Sequence, residues 1–289
     1  MPFQNALLGK NTQADRPYNF IASGEGLDEA DVSNWYNSAN LRIERRFSRG
    51  LTVLANYTIS HATDSGGAGI STYGNQANTR AMNTYNLKLE HGLSSLDIPN
   101  KLALSANYEL PVGRGKTLNI QNRFWNQVIG GWQTNGILII RSGLATDVTT
   151  AALPPVFGTI NRPDRVLGQP LLVANPGFDQ YFNPAAFAIP PTVPNYKGAP
   201  TQTFGNASRM VLRGPGQRNL DFSVFKNFVL HEKKCLEFRA EAFNLTNTPY
   251  FNLSSPTSAA LTVGNASFGK LSSSQTVGRQ LQGGLKLIW

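Results

Sequence analysis

Apolar and polar residues alternate with a period of two in seven separate stretches of this chain, and helical periodicity is scarce. In RQLQGGLKLIW, residues 279–289, Leu281, Gly283, Leu285, Leu287 and Trp289 share one face. Gln280, Gln282, Gly284 and Lys286 share the other, with Ile288 as the exception. KLALSANYEL sets Leu102, Leu104, Ala106, Tyr108 and Leu110 against Ala103, Ser105, Asn107 and Glu109. CLEFRAEAFNL sets Leu236, Phe238, Ala240 and Ala242 against Glu237, Arg239 and Glu241. NLDFSVFKNF sets Leu220, Phe222 and Val224 against Asp221 and Ser223, with Phe225 off pattern.

SANLRIERRFSRGLTVLANYTISH reads as two such strands joined by a tight turn at Ser48, Arg49 and Gly50. Ala39, Leu41, Ile43 and Phe47 oppose Asn40, Arg42, Glu44 and Arg46; then Leu51, Val53, Ala55, Tyr57 and Ile59 oppose Thr52, Asn56, Thr58 and Ser60. Arg45 interrupts the apolar face close to the turn, where a long side chain can snorkel. GWQTNGILIIRSG is the seventh strand, with Ile137 and Ile139 at positions where the alternation calls for polar residues.

Strand length separates two all-β classes. Globular strands usually run about five or six residues, whereas these run to about ten or eleven, the length that carries a tilted strand across a bilayer. The connections differ in length as well. Strands 37–47 and 51–61, and strands 218–228 and 235–245, are joined by short turns, and 100–110 reaches 130–141 through an intermediate one. The connections at about 63–98, 145–216 and 246–277 are long and rich in Gly, Pro, Asn and Ser. Short turns on one side and long loops on the other predict an antiparallel transmembrane β-barrel segment with periplasmic turns and extracellular loops.

Aromatic residues agree with that orientation. Phe47, Tyr108, Trp132, Phe228 and Trp289 all fall at strand ends on the short-turn side, where an interfacial girdle belongs. An indole at the tip of the last strand then has its ring among lipid and its N–H near water. On the polar faces, Arg42, Glu44, Arg46, Glu109, Asp221, Glu237, Arg239, Glu241 and Lys286 become lumen-facing residues, expected to pair with neighbouring strands.

Composition changes the picture little. Lys and Arg number 26 against 17 Asp and Glu, a net charge of +9. The pI near 9.8 suits nucleic acid, an anionic membrane surface, or neither. The basic residues are scattered, with RIERR and HEKK beside turns, and no stripe interleaved with aromatics forms, so no nucleic-acid partner is expected. Charged residues make up 15%, against about 25% in average soluble domains. The single Cys235 excludes an intramolecular disulfide and a Cys-based zinc cluster.

Candidate chemistry is sparse. GRGKT at 113–117 has Leu110 where a phosphate loop needs its first Gly, so it reads as a bend made by Pro111, Gly113 and Gly115. His61, His91 and His231 are far apart, and His61 near Asp64 lacks a nucleophile elbow. The expectation is a chain that is not an enzyme, with no catalytic residue, no metal and no cofactor. No run approaches the length of a membrane-spanning helix, and MPFQNALLGK lacks the features of a signal peptide.

The order of the segments carries a resemblance. NLRIERRFSRGLTVLANYTISHATD, LDIPNKLALSANYELPVGRGK, IGGWQTNGILIIRSGLATDVTT, YFNPAAFAIP, FGNASRMVLRGPGQRNLDFSVFKNF, FRAEAFNLTNTPYFN and RQLQGGLKLIW together resemble the C-terminal barrel of TonB-dependent outer-membrane receptors of the Oar-like type, from about residue 35 to 289. The resemblance implies a plugged barrel of about 22 strands that imports large or scarce nutrients with energy delivered through TonB. It often implies a carboxypeptidase-regulatory-like domain ahead of the plug. It places Asn244–Asn247 near the outer end of the penultimate strand. It makes Leu281, Leu285, Leu287 and Trp289 the signal read by the barrel assembly machinery, with Trp289 where Phe is usual.

These residues hold seven long strands, or eight if YNFIAS counts, and no plug, TonB box or export signal. The expectation is therefore a fragment: residues 1–34 as an irregular lead-in, extracellular loop or remnant strand, and 35–289 as the C-terminal part of a barrel in the cell outer membrane. Its partners would be outer-membrane lipid, the assembly machinery, an extracellular ligand, and TonB only through a plug missing from this chain. Two other readings stay open. One is a complete small outer-membrane barrel with a structural or adhesion role. The other is a secreted carbohydrate-binding β-sandwich using Tyr181, Phe182 and Phe187.

Overall fold

The computed structural model describes residues 33–65, 82, 86–150, 161–194, 200–231, 234–251, 253, 259–271, 274 and 277–289. The lead-in expected at 1–34, including YNFIAS, lies almost wholly outside them. Seven long strands form one sheet: β1 (Asn34–Ser48), β2 (Leu51–Asp64), β3 (Asn100–Glu109), β4 (Trp132–Arg141), β5 (Gln217–His231), β6 (Lys234–Phe243) and β7 (Gln280–Ile288). Each pairs antiparallel with the next in the chain, so the sheet is an up-and-down meander. A two-residue strand, Gly92–Leu93, adds to the outer end of β2.

The register carries the alternation across the whole sheet. Leu41 stands opposite Tyr57, Tyr57 opposite Leu102, and Leu102 opposite Ile140. Further along, Phe222 stands opposite Gly136 and Ala242, and Ala242 opposite Leu281. Directly opposed residues share a face, so the apolar faces expected strand by strand merge into one surface. A slip of one residue anywhere would turn a whole strand over.

That apolar surface is uncovered. Leu41 is 58% exposed and Leu281 73%, and Ile43, Ile59, Leu285 and Leu287 are exposed as well. Among the described residues, every fully buried hydrophobic side chain except Ala62 lies outside the seven long strands. A water-soluble sheet buries its apolar face. Here the arrangement is the reverse, which suits a sheet whose apolar face meets lipid.

Local chemistry sets the strand ends. Arg49 and Gly50 both take positive φ, 53° and 80°, the left-handed pair that a two-residue hairpin turn needs to match strand twist. Ahead of this turn the register shifts between Arg45 and Ser48, so Arg46 and Phe47 sit in a bulge. β6 stops at Phe243, two residues short of the predicted 245, because Asn244 turns to φ 49°. β4 begins at Trp132 instead of 130, because Gly130 ends a helix that the alternation did not predict, α1 (Arg123–Ile129).

β1 and β2 overshoot their predicted length chiefly at the loop side, where β2 runs on to Asp64, and β5 chiefly at the short turn, where it runs on to His231. β1 and β5 have 15 residues each, about 50 Å when extended and well beyond what a tilted strand needs for an apolar band of about 25 Å. On β1 the surplus lies at the loop side and extends the strand beyond the apolar band, whereas on β5 most of it lies at the short turn before Lys234.

Gly50 tests the turn. A Cβ there would lie 2.8 Å from the Glu109 carbonyl oxygen, which belongs to the neighbouring strand. Gly50→Val is expected to destabilise the barrel by about 1–3 kcal/mol, read as a lower temperature at which the folded band is lost in heat-modifiable gel migration of membrane extracts. An unchanged temperature would mean that this turn does not set the register.

Candidate functional site

Three surfaces bear on function: the polar face of the sheet, the rim at the short turns, and the outer loops. The polar face is built by the alternate residues of the same strands. Arg42 donates from Nη2 to Glu44 Oε2 at 2.9 Å, and Arg46 Nε stands 3.4 Å from Glu44 Oε1. On β6, Arg239 lies 3.4 Å from Glu237 and 3.7 Å from Glu241.

These ion pairs run along a strand, not across to neighbours as the sequence suggests. The reason is what stands opposite. Arg42 faces Asn56, and Arg239 faces Phe225 and Gly284, so neither finds a carboxylate across the ladder. Arg239 instead lies over the Phe225 ring at 5.7 Å, and Glu241 accepts from the Gln282 amide. Lys286 stands opposite Glu237 in register. Glu109 pairs with Lys116 at 3.0 Å, at the edge of the GRGKT bend, where Gly113 and Gly115 take positive φ. Asp221 is a strand-end cap: it accepts from Asn219 Nδ2 at 3.0 Å and from the Asn244 backbone N–H at 2.9 Å.

The polar face also carries apolar side chains that the alternation missed or only hinted at. Leu54, Ser105, Ile137 and Asp221 form one cross-strand row, and Asn56, Ala103, Ile139 and Asn219 the next. Ile137 is 42% exposed.

At the rim, Phe47 and Trp289 are exposed as a girdle requires, whereas Trp132 is half-buried. The Trp132 ring meets Phe238 edge-on at 5.8 Å, and its Nε1–H donates to the Val128 carbonyl at 3.1 Å. Tyr108 stands opposite Leu51 and Thr134, and Phe228 opposite Leu236, all on the apolar face. Leu281, Leu285 and Leu287 line the same face of β7, which has no partner on its far edge among the described residues. Sequence reading missed two residues here. Trp35 is exposed on the apolar side at the outer end of β1, the end away from the short turns. Lys226 stands opposite Trp132 and Phe238, within the apolar face.

The long loops, rich in Gly, Pro, Asn and Ser, pack into a cap in their described parts. Val148, Phe182, Phe187, Leu212, Leu261 and Phe268 belong to one buried cluster drawn from the second and third loops. Phe182 is 0% exposed, and Phe187 packs edge-on against Phe268 at 6.0 Å. These two rings therefore hold the cap together and offer no stacking platform to a sugar, a correction to the carbohydrate-binding reading. Asn183 Oδ1 accepts from the Ala185 N–H, so the FNPAAF stretch forms a short 3-10 turn.

Buried arginine–carboxylate pairs tie the first loop to the second. Arg162 grips Glu90 with both terminal nitrogens, at 2.9 and 3.1 Å, and also donates to the Leu89 carbonyl at 2.7 Å. Arg209 pairs with Asp64. Arg213 pairs with Asp97 and donates to the Gly143 carbonyl at 2.8 Å. Asp97 further accepts from the Ala62 N–H at 2.7 Å and stands 3.6 Å from His61 Nδ1, so His61 approaches Asp97 while Asp64 goes to Arg209. The Arg213–Pro215 bend also comes so near β4's end that a Cβ on Gly143 would overlap the Gly214 carbonyl at 1.8 Å.

Asn244 and Asn247 close the third loop onto the sheet. Both take positive φ, and the Asn244 side chain bonds Thr248 N–H at 3.0 Å and the Val277 carbonyl at 3.3 Å. Asn247 Oδ1 accepts from the Arg279 N–H at 3.0 Å, just before β7. Asn tolerates this backbone region, and its amide supplies the bonds.

Two tyrosines of the loops titrate abnormally. Burial pushes the Tyr181 phenol up from its ordinary value of 10.0. Burial also pushes Tyr250 up, opposed by the charge of Arg141 and its hydrogen bond.

A family model described as "Outer membrane beta barrel domain" matches residues 2–282 of the chain. No curated protein and no solved structure matches it.

Two outcomes test the cap. Asp97→Ala removes the buried acceptor of the half-buried Arg213 and of the Ala62 N–H, and leaving such donors unpaired costs about 1–3 kcal/mol. Protease added to intact cells should then cut within 161–216 faster, with the heat resistance of the barrel unchanged; equal cutting rates would show that the pair does not hold the cap. The tyrosines give a pH dependence. Their folded pKa values lie above the unfolded ones, so the stability they contribute is complete below pH 10.0 and is lost as pH rises through the folded values. Phenolate absorbance should lag behind that of free tyrosine, with cap protease resistance falling in the same window.

Proposed function

The chain belongs to the outer membrane beta barrel domain family and resides in the bacterial outer membrane, and from that premise we propose that it is barrel wall and outer vestibule of a TonB-dependent transporter of the Oar-like type. On this reading the capped loops take part in ligand capture outside the cell. The polar face lines the lumen, and β7 with Trp289 presents the signal for barrel assembly. TonB acts through a plug that occupies the lumen.

The observation that carries the reading is the set of apolar residues within the polar face. In a small closed barrel the inner side chains fill the interior against one another. Here Leu54, Ile137 and Ile139 stand in cross-strand rows on the lumen side. Apolar rows on a lumen wall favour a barrel wide enough to hold another body, which a plug supplies.

Strand parity supports more wall than these strands provide. β1 and β7 both run toward the short-turn side, because the seven long antiparallel strands among the described residues separate into four descending and three ascending. Closing them on each other would need a parallel pair, whereas single-chain bacterial barrels have even strand numbers. At least one further strand completes the wall, so the structural or adhesion barrel of eight strands is the second reading.

Transport separates the two. With the protein expressed from its own locus, uptake of one large or scarce nutrient should disappear on gene deletion and on collapse of the proton gradient, and the purified protein should give no steady conductance in planar bilayers. A steady open channel, or uptake indifferent to the proton gradient, would overturn the plugged-transporter reading.

A further inference from the structure

Helix α1 is amphipathic in the sense opposite to a globular surface helix. Phe124, Trp125, Val128 and Ile129 fall at helical spacing on one side, and all four are exposed, Phe124 at 66% and Trp125 at 53%. The side facing the barrel is polar. Asn126 Oδ1 accepts from the Arg114 N–H at 2.7 Å, and Gln127 Nε2 donates to the Val229 carbonyl at 3.2 Å. A helix at a water interface turns its apolar side inward. This one does the reverse, and Asn122, accepting from the N–H groups of Phe124 and Trp125, fixes its start.

The position of α1 identifies what it meets. Trp132 and Lys226 lie on the apolar, lipid-facing side of the sheet, and both donate to the Val128 carbonyl, each at 3.1 Å. Lys226 also donates to the Gly130 carbonyl and sits 5.4 Å from the Trp132 ring centroid and 5.0 Å from that of Phe228. The carbonyls at the C-terminal end of the helix thus solvate a cation placed within the apolar face. It also fixes α1 against the outside of the barrel at the short-turn rim. The apolar side of α1 continues the lipid-facing surface. The exposed cations Arg114 and Arg123 stand beside it, where anionic headgroups would lie.

We propose that α1 is an interfacial anchor, lying in the plane of the periplasmic leaflet with Phe124, Trp125, Val128 and Ile129 among the upper acyl chains of its phospholipids and Arg114 and Arg123 at their phosphates. The proposal rests on the outer-membrane placement alone and is independent of transport.

Trp125 reports it directly, since the chain has 4 tryptophans and the difference between the native protein and Trp125→Phe isolates one of them. The protein is extracted from outer membranes and reconstituted in phospholipid vesicles with brominated acyl chains. The Trp125 emission should be spared by aqueous iodide. It should be quenched about twofold more by bromines near the headgroup than by bromines at the chain ends, the depth of a helix sunk about 5–10 Å. Quenching by iodide would put the helix in water, and protection from both would mean that a protein covers it; either result overturns the proposal. An environment-sensitive label on Ile129→Cys, in a Cys235→Ser background, reads the same depth if the tryptophan difference is small. A label there that reports water overturns the proposal in the same way.

Discussion

Inside hydrocarbon a backbone amide or carbonyl has no water to bond, so each must find its partner in a neighbouring strand. Much of the molecule follows from this. The meander connects nearest neighbours, so the ladder is continuous from β1 to β7. Departures from it sit at the ends: the bulge at Arg46 and Phe47 lies beside the short turn, and the left-handed Asn244 and Asn247 lie at the loop side. With the backbone satisfied by the ladder, side chains alone choose between lipid and lumen, and period two is the only way to serve both.

Because lipid covers the apolar face, the strands need no core of their own, and packing of the ordinary kind is found in the loops. There the protein faces water again. Phe182, Leu212 and Leu261 are removed from solvent as they would be in a small soluble domain. Arg162, Arg209 and Arg213 each sit against a carboxylate from another loop or strand end. Such pairs return little net stability, since desolvating both charges offsets their attraction, but an unpaired member is costly, so they fix which segments meet.

The sheet was legible in the sequence because its signal is local: alternation over ten residues, a Gly at the tight turn, aromatics at strand ends. Features that depend on register or on distant partners were not. Lys226 sits in a strand that reads well, yet its burial arises from a helix 96 residues away at Gly130. Arg209 and Asp64 are 145 positions apart and carry no motif. Helix α1 has only seven residues, and an apolar stripe turned away from the protein looks, in sequence, like a few stray hydrophobics in a polar connection. Two predicted strands overran, because Asn244 and Gly130 break the ladder through backbone conformation and helix capping, which alternation does not register.

The joined cap has a consequence for how this surface changes over generations. Loops that project separately from a barrel can each vary freely. Here one loop's arginines are matched to the carboxylates at Asp64, Glu90 and Asp97, and the second and third loops share one apolar cluster. A substitution that suits a new molecule at the cell surface must preserve contacts made by residues far along the chain, or arrive together with its complement. The outer face should therefore diversify in its exposed tips and be inherited as a block beneath them.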